Sequence, residues 1–237
     1  KHAVTEGPAR DDPDSETGYN VWINESLDYN VVADAMLEDY YGLDKWFKPE
    51  VNLKLNIKPV PGLNYQQVVG YENRQWELHQ YWPSTHRSEI DNSRKGHAHL
   101  AFSKTENLTS EGYFSYVKDF KGGHNLNATA GYSYFEVNGE NFGMDNYNFS
   151  VDGIKYWDIG QGSYLTDGKA GMSSGKSVTE RLFSFFARAN YSYQDKYMLS
   201  ASIRHEGSSK FAADNRWANF WSATAGWRIS NEEFMKD

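Results

Sequence analysis

The sequence predicts an all-β fold: an antiparallel transmembrane β-barrel segment with long extracellular loops. The first observation is strict alternation between Arg181 and Ile229. Phe183, Phe185, Ala187, Ala189, Tyr191 and Tyr193 share one phase, against Ser184, Arg188, Asn190 and Ser192. Tyr197, Leu199, Ala201 and Ile203 oppose Ser200, Ser202 and Arg204; Trp221, Ala223, Ala225, Trp227 and Ile229 oppose Ser222, Thr224 and Arg228. A period of two means strands. The second observation is that Tyr191, Tyr193 and Tyr197 flank the turn at Gln194-Asp195-Lys196, where an interfacial aromatic girdle belongs. The third is that Arg188, Arg204 and Arg228 all fall on the polar phase. A one-residue slip would turn all three toward lipid, at about 2–4 kcal/mol each near the midplane. Length agrees: about 13 residues at about 3.3 Å, tilted by about 40°, span roughly 33 Å, enough for an apolar band and its girdles. A soluble β-sandwich offers the same alternation, and these features leave that alternative open.

In chain order, residues 1–26 are polar, broken by Gly7-Pro8 and Asp11-Asp12-Pro13-Asp14, and read as loop. Residues 27–47 fit either a helical turn or two or an irregular strand. Val51, Leu53, Leu55 and Ile57 alternate with polar neighbours as a strand, Pro59-Val60-Pro61-Gly62 turns the chain, and Leu63 begins a return strand reaching toward Trp82. Loop follows over 83–96, then a strand pair near 98–106 and 108–118. Lys121-Gly122-Gly123 turns into a strand in which Leu126, Ala128, Ala130, Tyr132 and Tyr134 share a face. Residues 138–178, rich in Gly, Asn, Ser and Asp, read as a long extracellular loop. Short turns alternating with long loops are what a barrel predicts, placing 83–96, 138–178 and 207–216 outside the cell.

Several of these residues also carry a family resemblance. Tyr191-x-Tyr193-x-Asp195-Lys196-Tyr197, Arg204-x-x-Gly207-Ser208-Ser209-Lys210-Phe211, Asn215-Arg216-Trp217, Gly226-Trp227-Arg228-Ile229-Ser230 and Glu233-Phe234-Met235 resemble the barrel of SusC-like TonB-dependent outer-membrane receptors. Gly123-His124-Asn125-Leu126-Asn127 with Gly131-Tyr132 resembles an earlier strand of the same barrels. The motifs cover roughly the last half of the chain; the first half matches mainly in rhythm. Such receptors are several times longer. The resemblance therefore implies that residues 1–237 are a partial barrel domain, without the plug domain or the C-terminal strand, in a Gram-negative outer membrane. An open arc of strands would leave unpaired edges in lipid, so this wall must close with other polypeptide.

Composition narrows the alternatives. Aromatics make up 16% of the residues and Tyr dominates them. A mean hydropathy of −0.78 and the absence of any long apolar run argue against helical spans, not against a barrel. The chain has no cysteine, which excludes a disulfide scaffold and a thiolate metal site. A net charge of −8 disfavours a nucleic-acid partner.

Short motifs add little. Ala170-x4-Gly175-Lys176-Ser177 approximates a phosphate loop, but a strand rather than a helix follows it, and nucleotide binding is rejected. His97 and His99 point to one side of a strand, with His79 and His86 as third-ligand candidates; without a nearby acid, solvated histidines are the default, and no metal site or cofactor is assigned. Asp11 to Glu16 lacks the spacing of a calcium loop. No nucleophile motif suggests an enzyme. Trp76, Tyr81, Trp82, Tyr156, Trp157 and Tyr164 are the candidate ligand-binding aromatics, with girdle or loop packing as the plainer role. Arg188, Arg204 and Arg228 are expected to face the lumen.

The resemblance implies active import of an oligosaccharide or a peptide. The expected partners are a SusD-like lipoprotein, the TonB complex acting through the absent plug, and outer-membrane lipid. A self-contained carbohydrate-binding β-sandwich is the alternative function.

Overall fold

The computed structural model describes residues 35–235. Residues 1–34, with the N-terminal loop, the acidic Asp11–Glu16 run and Val31-Val32, lie outside the described residues. Strands in chain order are β1 (Asp39–Phe47), β2 (Glu50–Asn56), β3 (Leu63–Trp82), β4 (His97–Phe120), β5 (His124–Tyr147), β6 (Gly171–Lys176), β7 (Glu180–Tyr193), β8 (Tyr197–Ser208) and β9 (Trp217–Trp227). Two short helices, α1 (Arg87–Asp91) and α2 (Ser163–Thr166), lie in the loops after β3 and β5. All nine strands join one sheet in the order β1-β3-β4-β5-β7-β8-β9, with β2 also on β3 and β6 also on β5. The strand order thus follows the chain, a meander of hairpins.

The residues fall into two compact units. Among the described residues, one takes 35–45 with Gln75–Lys104 and Glu140–Lys176; the other takes Trp46–Arg74, Thr105–Gly139 and 177–235.

The turns are short for stated reasons. Gly62 has φ 91°, and a Cβ there would sit 2.1 Å from the Val117 carbonyl oxygen. Gly122 and Gly123 have φ 84° and 82°, a left-handed pair that only glycine adopts cheaply. In the β7–β8 hairpin the same region is taken by Gln194 and Asp195 at φ 51° and 54°. The Gln194 N–H donates to the Gly123 carbonyl at 2.6 Å, tying this turn to the preceding one.

The register fixes the faces. Across β5, β7, β8 and β9 three rows of directly opposed residues are apolar: Ala130, Ala187, Ile203 and Trp221; Ala128, Ala189, Ala201 and Ala223; Leu126, Tyr191, Leu199 and Ala225. The opposite phase holds Thr129, Arg188, Ser202 and Ser222, then Asn127, Asn190, Ser200 and Thr224. These hydroxyls and amides satisfy one another sideways, as in Ser200 to Asn190 at 2.7 Å and the Ser202–Ser222 pair at 2.8 Å.

Several expectations change. The pair near 98–106 and 108–118 is one 24-residue strand, β4. Glu106-Asn107-Leu108 contains neither Gly nor Pro to reverse the chain, and Asn107 instead donates sideways to Glu72 at 3.4 Å. The loop at 138–178 shrinks to 148–170, because β5 runs on to Tyr147 and β6 pairs back onto it. Residues 35–37 form a helical turn and Asp39 starts a strand, so 27–47 holds both of its expected forms. The third run stops at Trp227, leaving Arg228 in the turn beyond, where its N–H donates to the Lys196 carbonyl at 2.7 Å. The sandwich fails outright. It needs a second sheet over the apolar face, whereas the described residues make one sheet and leave Phe185, Leu199, Ile203 and Trp227 exposed and Trp221 79% exposed.

Candidate functional site

Two regions carry functional chemistry, and each sits within one unit. The first is the apolar face. On one side it ends in a row of His124, Tyr193, Tyr197 and Trp227. On the other it ends in Tyr132, Phe185 and His205, then Tyr134, Phe183 and Trp217, with His205 stacked on Trp217 at 4.7 Å. Phe183 and Tyr193 are ten residues apart on β7. At about 3.4 Å per residue and about 40° of tilt, that is roughly 26 Å, the height of the apolar band of a membrane barrel. Beyond the Tyr134 row the polar groups return: Arg181 pairs with Glu136 at 2.7 Å, and Tyr134 donates its hydroxyl to the same carboxylate. On the polar phase, Arg188 is exposed, and Arg204 donates to Glu206 at 2.7 Å and Ser133 at 3.2 Å.

The second region is built by loops 83–96 and 148–170 on the ends of β3, β4 and β5. On one face, Tyr81, Ala98, Phe149 and Tyr156 form a small buried core, with Leu100, Ile154 and Ile159 against it. Tyr81 is 2% exposed and donates its hydroxyl to Asp152 at 2.7 Å; Asp152 also accepts the Ser84 N–H and hydroxyl. Burial, and after it the Asp152 carboxylate, raises the Tyr81 hydroxyl well above the usual tyrosine range. Tyr156 is 6% exposed, edge-on to His79 at 5.3 Å, with its hydroxyl donating to Asp39 at 3.3 Å. Both tyrosines therefore pack the loops.

On the other face the rings stack. Trp82 lies on His97 at 4.6 Å and 22°, His97 on Tyr147 at 4.3 Å and 26°, and Tyr164 leans on Tyr147 at 5.3 Å. The Arg94 guanidinium sits 4.5 Å from the Tyr147 ring centre. It also makes two hydrogen bonds, at 2.9 and 2.7 Å, to Glu89, whose carboxylate is 0% exposed. His97 and His99 both reach Asp145 Oδ1 at 2.8 Å. Burial outweighs that hydrogen bond and pushes the His97 imidazole below its ordinary 6.5, so the neutral ring donates from Nε2. Desolvation likewise raises the Tyr147 hydroxyl.

The sequence-derived candidates thus separate. Trp82 and Tyr164 join the stack, Tyr81 and Tyr156 are buried, and Trp157 is 75% exposed beside Tyr156 at 4.9 Å. Trp76 is half-buried in β3, on the phase of Trp82. The third-ligand histidines do not converge: His79 packs with Tyr41 and Tyr156, and His86 caps α1 by accepting the Ser88 N–H at 3.2 Å. No group of three metal-ligating side chains is positioned for an ion among the described residues. Sequence reasoning missed Glu89, Arg94, Asp145 and Tyr147. Asp145 reaches His97 from 48 residues away because β4 and β5 are neighbours in the sheet, and only that pairing could have shown it.

Comparison with known proteins places these features in context. No family model matches the chain. It is 31% identical over 189 residues to TonB-dependent receptor P39 of Formosa agariphila, covering 77% of this chain and 17% of that receptor. It is 39% identical over 71 residues to TonB-dependent receptor SusC of Bacteroides thetaiotaomicron, covering 30% of this chain and 7% of SusC. The chain thus spans well under a quarter of the length of these relatives. Among solved structures, the RagAB peptide transporter superposes with a TM-score of 0.80 at 18% identity, covering 92% of this chain and 24% of that one. That likeness establishes the fold, an antiparallel membrane-barrel wall.

Proposed function

The chain is a relative of the SusC-like TonB-dependent receptors, and on that premise we propose that it forms part of the wall of an outer-membrane nutrient importer. One observation carries the reading: a four-strand apolar face left open to its surroundings and bounded by two aromatic rows roughly 26 Å apart. Such a face is stable only against hydrocarbon, and its opposite phase suits a wet lumen. Arg188 and Arg204 then point into that lumen, whereas Arg228 belongs to the periplasmic turn.

On this reading loops 83–96, 148–170 and 209–216 lie outside the cell. Trp157, exposed beside Tyr156, and on the other face Tyr164 with Trp82, and Trp76 on the Trp82 phase, are the aromatics assigned to ligand contact; Tyr81 and Tyr156 hold the loops that carry them. The imported solute is a glycan or a peptide. The RagAB likeness is to a peptide transporter, and the SusC likeness supports a SusD-type lipoprotein as the covering partner. Energy comes through TonB and a plug domain contributed by the rest of the receptor, and this segment does no covalent chemistry.

The test is deletion of residues 148–170 in the full receptor, bridging Tyr147 to Gly171 with a short Gly-Ser linker. Uptake or lid docking should weaken while the barrel still assembles and resists SDS before boiling. Unchanged uptake and lid docking would defeat this assignment of the loop.

A further inference from the structure

Loops 83–96 and 148–170 belong to the same compact unit, and each is tied internally. In the first, Arg94 makes two hydrogen bonds to the Glu89 carboxylate, and its backbone N–H donates to the Glu89 carbonyl at 2.8 Å. In the second, the buried Asn146 amide donates to the Ile159 carbonyl at 2.7 Å and the Gly162 carbonyl at 2.8 Å. The Ser163 N–H then reaches the Asn148 carbonyl at 3.2 Å. Neither loop is slack.

The Asp152 carboxylate joins them. It comes from the second loop and lies against both ends of the first. At the start of that loop, Asp152 Oδ1 accepts the Ser84 N–H at 2.9 Å and Oδ2 accepts the Ser84 hydroxyl at 2.7 Å. At its end, Gly96 has φ 81°, and a Cβ there would sit 3.2 Å from Asp152 Oδ1 and 2.3 Å from the Tyr81 hydroxyl. Backbone pairing continues beside it. The Lys95 N–H donates to Asn148 Oδ1 at 2.8 Å, the Asn148 N–H to the Gly96 carbonyl at 3.0 Å, and the Phe149 N–H to the Lys95 carbonyl at 2.7 Å.

These bonds, two of them charge-assisted, are lost whichever loop leaves first. Once one has gone, the other has lost the same support and follows. We propose that residues 83–96 and 148–170 open and close as one cooperative body, with Asp152 as the positioning residue that couples them. Contact at exposed Trp157 then also steadies Arg94 over the Tyr147 ring, because the loop that carries Trp157 holds the loop that carries Arg94. That role at the barrel mouth rests on the outward placement of the loops proposed above; the coupling itself does not.

The experiment is native-state hydrogen exchange of the full-length receptor in detergent, resolved by peptide. Glu89→Gln perturbs the first loop, since the Glu89 carboxylate bonds to Ser88 and Arg94 within it. Asn146→Ala perturbs the second through Ile159 and Gly162. Either change should speed exchange at least about tenfold in both loops. Adding Asp152→Ala should confine the Glu89→Gln effect to its own loop. In the unmodified receptor, rising urea should bring the slowest amides of residues 86–92 and 152–160 onto one opening isotherm. Acceleration confined to the loop that carries the change, a cross-loop effect that survives Asp152→Ala, or two separate isotherms in the unmodified receptor would overturn the proposal. Unchanged uptake on deletion of 148–170 would defeat the assignment of that loop and leave the coupling standing.

Discussion

Ala189→Arg tests the membrane reading most directly. Ala189 lies in the all-alanine row with Ala128, Ala201 and Ala223, four residues from Tyr193 and six from Phe183. Four residues at about 3.4 Å, tilted by about 40°, put it roughly 10 Å inside the nearer aromatic row, close to the midplane of the band. An arginine there costs about 2–4 kcal/mol, a factor of roughly 30 to 900 in the folding equilibrium. Asn190→Arg is the control one residue along. It occupies the opposite phase between Asn127 and Ser200, where a guanidinium meets water and hydroxyls, and should cost less than about 0.5 kcal/mol. The assay is urea unfolding of the full receptor in lipid vesicles, scored by loss of the SDS-resistant band. A midpoint lowered by Ala189→Arg alone supports the orientation. Equal costs at the two positions, or a larger cost at Asn190, would refute it.

Three further outcomes follow from the geometry. Glu89→Gln removes a fully buried carboxylate from Arg94, itself only partly exposed, and should cost about 3 kcal/mol locally, seen as faster hydrogen exchange over residues 86–96. The His97 imidazole is held below its ordinary value, so the unfolded state binds its proton first as pH falls. Stability from the Trp82–His97–Tyr147 stack is therefore full above about pH 6.5 and declines as pH drops toward the folded value; exchange protection around residue 97 should fall with it, and His97→Phe should flatten that dependence. Gly131→Ala places a Cβ 2.3 Å from the Gly112 carbonyl oxygen and 2.7 Å from Tyr113 Cα, so the β4 backbone must move. The expected loss is about 1–3 kcal/mol, read as a reduced folded fraction on semi-native gels.

Legibility tracked how local each cause was. The phases of β7, β8 and β9 and the Gly122-Gly123 turn were plain in the sequence, because alternation and glycine pairs are short-range signals. β4 was not, since Asn107 suggests a break that its reach to Glu72 across the sheet removes. The loop estimate at 138–178 failed similarly: Asn141, Gly143 and Gly175 look like loop residues, but pairing onto a neighbour holds them extended. Of the candidate aromatics, composition could not separate buried Tyr81 and Tyr156 from exposed Trp157. That difference depends on Asp152 and Asp39, partners 71 and 117 residues distant.

The meander order bears on how such a wall is made. Each of these strands finds its mate one hairpin away along the chain or, for β1–β3 and β5–β7, across a single intervening strand, so little entropy is spent closing distant loops. The sheet can lengthen sideways as the polypeptide is delivered, threading one hairpin after another into the bilayer. At every stage only the two outermost strands lack a companion, and the insertion machinery need shelter only those two edges at a time.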